Sequence, residues 1–299
     1  MLVLLPENYF IKYFYTECSG RSNNDNHNKI REGIIKFMNY IDEDYFNDPE
    51  YGLLWKKFKT SFDAKMNQLC PSYFTYKIQE KAGRNFNYDF DISFLDSTGT
   101  LIKSVKIEFK YNASSINETP QFVSPMKPSQ YLSNNFEEYY YFNYLIPLFV
   151  KFKLTVPEIE IYLKQVHGNK PKCLEKAQLL YYQGCKQSSK YNGNETSLSF
   201  YEECNKSSCE CIKNFINETD LNIDKINQYL IQSQDDKIYL LYKNEEFYVQ
   251  YSNPDDYIIK TYEKQNNRYI ATTMSNKKIK ILLRWKNGNG IAYPAFQIS

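Results

Sequence analysis

Histidine is almost missing from this chain of 299 residues: His27 and His167 are the whole supply. His27 lies in an Asn-rich stretch that reads as a loop and His167 in a His-Gly-Asn turn. Too few imidazoles remain for a Ser-His-Asp triad, a zinc hydrolase centre or a His-metal nuclease of the ββα type. Glycine is also scarce, at 10 residues, and neither Gly-x-x-x-x-Gly-Lys nor Gly-x-Gly-x-x-Gly occurs, which removes nucleoside-triphosphate and dinucleotide cradles. Long apolar runs are absent, so no segment is expected to span a bilayer. The opening MLVLLP is too short for a signal peptide and lacks its basic flank, and the expectation is a soluble, intracellular protein of cytoplasm or nucleus, not a secreted one. Charge of one sign is lacking too, since 37 basic residues face 35 acidic ones for a net +2. Any polyanion must then be met by local patches, not by the global field.

The 7 cysteines are an odd number in a chain without export signals, which argues against a disulfide framework. Cys185, Cys204, Cys209 and Cys211 lack the paired Cys-x-x-Cys knuckles of a zinc site, so free, partly buried thiols are expected in place of structural Zn²⁺. The chain is rich in Tyr, Asn, Lys and Ile, a bias of coding that carries no functional information. It produces Asn-x-Ser/Thr triplets at Asn112, Asn117, Asn194 and Asn217 by composition alone. Hydrophobic content of 42% and aromatic content of 17% suffice for a real core.

One pattern carries chemistry. In NYDFDISFLD, residues 87 to 96, Tyr88, Phe90, Ile92 and Phe94 alternate with Asn87, Asp89, Asp91, Ser93 and Leu95. In SVKIEFKYN, residues 104 to 112, Val105, Ile107, Phe109 and Tyr111 alternate with Lys106, Glu108, Lys110 and Asn112. Ser97, Thr98, Gly99 and Thr100 supply turn chemistry between the two strands. With Thr98 and Gly99 at the centre of the turn, Asp89 falls opposite Glu108, and Asp91 lies diagonally from it. Opposed like charges on paired strands are destabilising unless a cation sits between them. Oxygen donors without imidazole or thiolate suit a hard ion, Mg²⁺ first, with Mn²⁺ as a substitute.

An Asp in one strand followed by acidic-x-Lys in its hairpin partner resembles the PD-(D/E)XK nuclease superfamily, here as Tyr88-Asp89-Phe90 and Glu108-Phe109-Lys110. Tyr88 replaces the family's Pro. The resemblance spans residues 80 to 121 and implies an α/β fold: a restriction-endonuclease-like mixed sheet core flanked by helices, with a strand-rich C-terminal region added. It further implies that Asp89 and Glu108 hold the metal, with Asp91 either a second ligand or, where the turn slips by one residue, the partner of Glu108. Glu80 would be the Glu ahead of the hairpin, Lys110 would orient or deprotonate the attacking water, and Gln121 would position water or serve structure. The Gln-x-x-x-Tyr signature of the lambda-exonuclease and RecB-like branch is missing. Two other acidic-x-Lys matches, Asp63-Ala64-Lys65 and Asp235-Asp236-Lys237, lack the hairpin context. The competing reading of the hairpin is a half-exposed antiparallel pair whose solvent face is simply charged.

Two basic patches are candidates for DNA contact. The first runs from Tyr51 to Gln130 and includes Arg84, Lys103, Lys106 and Lys127. The second is the strand-like segment Asn276 to Lys286, with Lys278, Lys280, Arg284 and Lys286 on one face. That face suits a phosphate backbone, and equally suits a solvated edge strand that lysines protect from pairing.

Along the chain, residues 29 to 68 carry helical spacing broken near Asn47-Asp48-Pro49, and residues 73 to 79 alternate as a first strand. Residues 137 to 152 read as a helix kinked or ended near Pro147. A helical, Cys-containing, polar stretch follows from 157, and strands dominate from Lys237. The organisation expected is 1–156 as helices plus catalytic core, 157–236 as an insertion, and 237–299 as a β-rich region. Residues 237 to 243 would either complete the core sheet or belong to a separate small sheet. The function expected is a metal-dependent DNA endonuclease of restriction or defence type, as a single chain or a homodimer. The alternatives are a non-catalytic nucleic-acid- or protein-binding module and a Holliday-junction-type resolvase.

Overall fold

The alternation between residues 75 and 111 becomes three antiparallel strands, and the strand-forming run after Asp236 is divided between two sheets. The structure is a computed structural model that describes residues 5–16, 21–81, 86–118, 127–168, 171–285, 288 and 294–299. The chain forms two compact units, one of residues 1–120 with 234–253 and the other of residues 121–233 with 254–299. The three segments read along the sequence are thus redistributed. Residues 121–156 join the second unit, and the first two strands of the expected β-rich region join the first.

The first unit opens with a 3-10 turn (Asn8–Phe14) and helices α1 (Arg21–Lys36), α2 (Glu43–Phe46) and α3 (Gly52–Leu69). Asp42 caps α2 through its carboxylate, which accepts the Asp44 N–H. The sheet follows with β1 (Thr75–Glu80), β2 (Phe90–Leu95) and β3 (Leu101–Tyr111), in the order β1-β2-β3-β4-β5. Trp55, Phe58, Phe62 and Met66 line one face of α3 at spacings of three and four residues. They pack on Phe90, Ile92, Phe94, Val105, Ile107 and Phe109 from the sheet. This puts the opposite face of β2 and β3, with Asp91, Lys106, Glu108 and Lys110, away from that core.

The second unit contains α4 (Phe136–Tyr140), a π-helical turn (Tyr141–Leu145) and α5 (Ile146–Lys151). The helix expected over residues 137 to 152 therefore runs through Pro147, and the wider turn falls just where the missing proline N–H would interrupt an α-helical ladder. Then come α6 (Ile159–Gln165), α7 (Glu175–Gly184), α8 (Glu195–Glu218) and α9 (Ile223–Gln234). Asn194 caps α8, its side chain accepting from Thr196 N and Ser197 N.

After α9 the chain returns to the first sheet. Strand β4 (Lys237–Lys243) lies parallel beside β3, with Glu108 opposite Tyr239, and β5 (Glu246–Tyr251) closes the sheet antiparallel to β4. The remaining strands, β6 (Ile259–Gln265), β7 (Arg268–Thr273), β8 (Lys278–Trp285) and β9 (Pro294–Ile298), form a separate antiparallel sheet in sequence order. Both options for the C-terminal strands are thus realised, each by a different pair or set. Tyr269, Ala271, Ile281, Leu283, Trp285 and Phe296 of the second sheet join Phe136, Tyr140 and Phe215 in one core.

Candidate active site on the β2–β3 hairpin

The hairpin holds the register read from its pattern. Phe90 pairs with Ile107 and Asp91 with Lys106, and the regular pairing ends there: Asp89 lies before β2 and its N–H turns to Ile107 O, one residue short of Glu108. The turn closes through Asp96, whose Oδ1 accepts from Thr98 N at 2.8 Å and Thr100 N at 2.9 Å. Gly99 takes φ +83°, which a residue with a Cβ would resist. A register shift between Phe94 and Leu95 absorbs the mismatch, so it leaves the pairing at the far end intact.

Asp89 stands just before β2, held at both its backbone and its carboxylate. Its N–H donates to Ile107 O at 2.8 Å, and its Oδ2 accepts the Phe109 N–H at 2.8 Å. Glu108 is paired with two ammonium groups: Lys110 Nζ lies 2.5 Å from Oε1, and Lys237 Nζ lies 3.7 Å from Oε2. Lys237 enters from β4, is buried, and also donates to Asn87 O at 3.0 Å. Tyr239, two residues on, directs its hydroxyl to Gln234 Oε1 at 2.6 Å and fixes the entry of that strand.

The electrostatics follow from this crowding. Burial, and then the negative charge of Glu108, push the Asp89 carboxyl up to about 6, against the pull of the Phe109 N–H and the two lysines. Burial pushes Glu32 on α1 up to about 7, with Asp89, Glu80 and Glu108 adding to the rise and Lys110 opposing it. Lys237 is lowered from the ordinary lysine range, because burial outweighs the attraction of Glu108. Four carboxylates, Glu32, Glu80, Asp89 and Glu108, thus share one electrostatic neighbourhood with Lys110.

The other expected site residues are placed differently. Asp91 is on the face of Lys106 and Glu108, but its Oδ2 is held by Lys81 Nζ at 3.0 Å and lies 3.4 Å from the Tyr88 hydroxyl. Glu80 pairs in register with Phe90, on the opposite face, and forms an ion pair with Lys36 at 3.2 Å. Glu32, whose helix precedes β1, lies in the electrostatic neighbourhood of both Asp89 and Glu80. Lys103 shares the face of Val105 and Ile107 and donates to Leu69 O at the end of α3, at 3.0 Å. Lys106 lies 3.9 Å from Asp236. Lys127 belongs to the second unit and takes a left-handed backbone, φ 54°. Gln121, Arg84 and Lys286 fall outside the described residues.

Sequence reading passed over both Glu32 and Lys237. Lys237 belongs to the acidic-x-Lys match that has no acidic strand hairpinned ahead of it, and only the parallel pairing of β3 with β4 brings it to Glu108. Glu32 had a signal, an acidic residue in an amphipathic helix next to Arg31, but nothing local ties that helix to the hairpin.

The donor set fits a hard cation in chemistry, being carboxylate oxygens on neighbouring strand segments, with burial and then repulsion from Glu108 raising Asp89. Among the described residues, no three His, Cys, Asp or Glu side chains converge as a ready-made metal cage. Asp89 and Glu108 are the residues that would hold an ion, with Glu32 nearest in electrostatic terms.

Away from this hairpin, His27 is part of α1 and meets the Tyr13 ring edge-on at 4.6 Å between centroids, so the expected loop is helix. His167 Nε2 lies 3.0 Å from Glu137 Oε1. Cys204 and Cys211 pack into the core of the second unit, where burial pushes both thiols up to about 12, and Cys209 is exposed. None of the helices among the described residues is long and apolar enough to cross a membrane. No protein-family model matches the chain, and a search of curated proteins finds no significant relative.

Proposed function

We propose that the chain is a metal-dependent nuclease of the PD-(D/E)XK kind, hydrolysing DNA phosphodiester bonds as an endonuclease. One observation carries the reading: the Asp89 carboxylate accepts the Phe109 N–H, one residue from Glu108, and the Lys110 ammonium lies against Glu108. The sheet supports it, because a restriction-endonuclease-like core is expected to add a further strand beside the Lys strand, and β4 lies there in parallel.

Asp89 and Glu108 would hold the ion, and Glu32 stands ready to share its charge. When bound, Mg²⁺ or Mn²⁺ supplies Lewis-acid polarisation of a phosphoryl oxygen and acidifies water at neutral pH. Lys110 orients the attacking water and offsets negative charge that builds on the phosphate. The Phe109 N–H keeps the Asp89 carboxylate aimed across the hairpin. Lys237 counters the charge of Glu108 from the neighbouring strand.

A second reading, a non-catalytic nucleic-acid-binding module, draws on the closure of Glu108 between two lysines. Cleavage separates the two. Asp89→Asn and Lys110→Ala should each lower cleavage of supercoiled plasmid in Mg²⁺ by about 100-fold or more. Wild-type protein that binds plasmid but never nicks it, in Mg²⁺ or in Mn²⁺, favours the binding module.

A further inference from the structure

The first basic patch loses much of its charge to ion pairs: Lys57 with Glu245 at 3.1 Å, Lys59 with Asp63 at 2.5 Å and Lys81 with Asp91 at 3.0 Å. The second sheet behaves differently. On its open face β8 presents Lys278, Lys280 and Arg284, and β7 adds Arg268, since Ile270 pairs with Lys280 and Arg268 with Leu282. Lys278 and Lys280 are exposed, and among the described residues none of the four cations forms an ion pair with a carboxylate. Lys278 donates instead to Thr272 Oγ1 at 2.7 Å, and Arg284 to Gln297 Oε1. Glu263, opposite Ile270, is the carboxylate on this face among the described residues.

Protection of an edge cannot explain these lysines, because β8 lies between β7 and β9 and both its sides are paired. Nor is the face aromatic. Tyr269, Trp285 and Phe296 all point into the core, and the open face carries the cations, Thr272, Gln265 and Gln297 around the smaller apolar side chains of Ile270, Leu282 and Ala295. Single-stranded nucleic acids are usually gripped by bases stacked on aromatic rings, and this face has none among the described residues. Residues two apart on a strand stand about 6.7 Å apart, close to the rise spanned by alternate phosphates of a duplex strand at about 3.4 Å each.

We infer that the open face of the β6–β9 sheet is a binding platform for the phosphate backbone of duplex DNA. That the polyanion is a nucleic acid rests on the nuclease reading; the platform itself rests on the sheet.

The test is fluorescence anisotropy of a labelled duplex, and of its single strand, with the full chain in EDTA, so that no cleavage enters the measurement. Lys278→Glu with Lys280→Glu should weaken duplex binding roughly tenfold or more and flatten the salt dependence by about two units of slope. Lys56→Glu with Lys57→Glu changes the net charge equally and should weaken binding far less. Lys280→Arg should keep wild-type affinity, which separates lost charge from lost folding. Equal weakening by both Glu doubles, or tighter binding of the single strand, overturns the platform. Failure of plasmid cleavage by wild type would sink the nuclease reading and leave this comparison standing.

Discussion

A carboxylate buried close to another must keep a proton, find a cation, or be repelled. Asp89 and Glu32 are pushed up to about 6 and about 7, so each holds its proton in the folded protein to a higher pH than in the unfolded chain. The folded state then binds more protons than the unfolded state above about pH 4, and stability falls as pH rises through about 4 to 7. Glu32→Gln removes one such group. In EDTA, thermal melts should show the variant gaining on wild type as pH rises from 5 to 8, a range spanning that window. A difference between the two proteins that does not change with pH would contradict this account of Glu32. Mg²⁺ should shrink the difference, because a cation among the carboxylates does the same electrostatic work as the proton. At this scale Asp89, Glu108 and Lys110 were legible, since strand alternation and a turn fix their relations within about two dozen residues. Glu32 was not, because α1 reaches the hairpin only through tertiary packing.

Strand β4 is the element that changes the site. Its parallel pairing with β3 joins residues 106–111 to residues 237–242, across the whole of the inserted helical segment. No local pattern reveals such a pairing, because Asp235-Asp236-Lys237 has no acidic strand hairpinned ahead of it. Yet the burial of Lys237 next to Glu108 makes it the second cation of the site. An ammonium there competes with any divalent ion for the same carboxylate. Lys237→Met should therefore tighten Mg²⁺ binding by about tenfold at an effective dielectric near 20, while cleavage falls. Calorimetric titration with Mg²⁺ reads the first effect independently of activity, and unchanged or weaker binding would count against it. The turn centres on Ser97 and Thr98, since Gly99 N–H donates to Asp96 O, one residue earlier than Thr98 and Gly99 as expected. The extra residue near Leu95 is absorbed beside the turn, at the end remote from Asp89.

At the scale of the molecule, the two cores were not legible, because the sequence reads as three consecutive segments, 1–156, 157–236 and 237–299, whereas each core draws on two stretches of chain. Helix α3 with the first sheet, and the helices with the second sheet, each bury their own aromatic residues. The strands after Asp236 are all short and follow one another closely in sequence, so their division between two sheets was not legible. What separates them is burial. Strand β4 is apolar on both faces, as a strand covered on both sides must be, whereas β8 alternates cleanly with cations outward. The reading of the whole follows from this division: a first unit bearing the carboxylates and a second bearing an open basic face.

Single-turnover cleavage of a DNA duplex by wild type and Glu108→Gln in Mg²⁺, with binding of the same duplex measured in parallel, tests the central claim most directly. The account predicts cleavage by wild type, a loss of about 100-fold or more in the variant, and binding affinity nearly unchanged. Equal cleavage by the two proteins would contradict it.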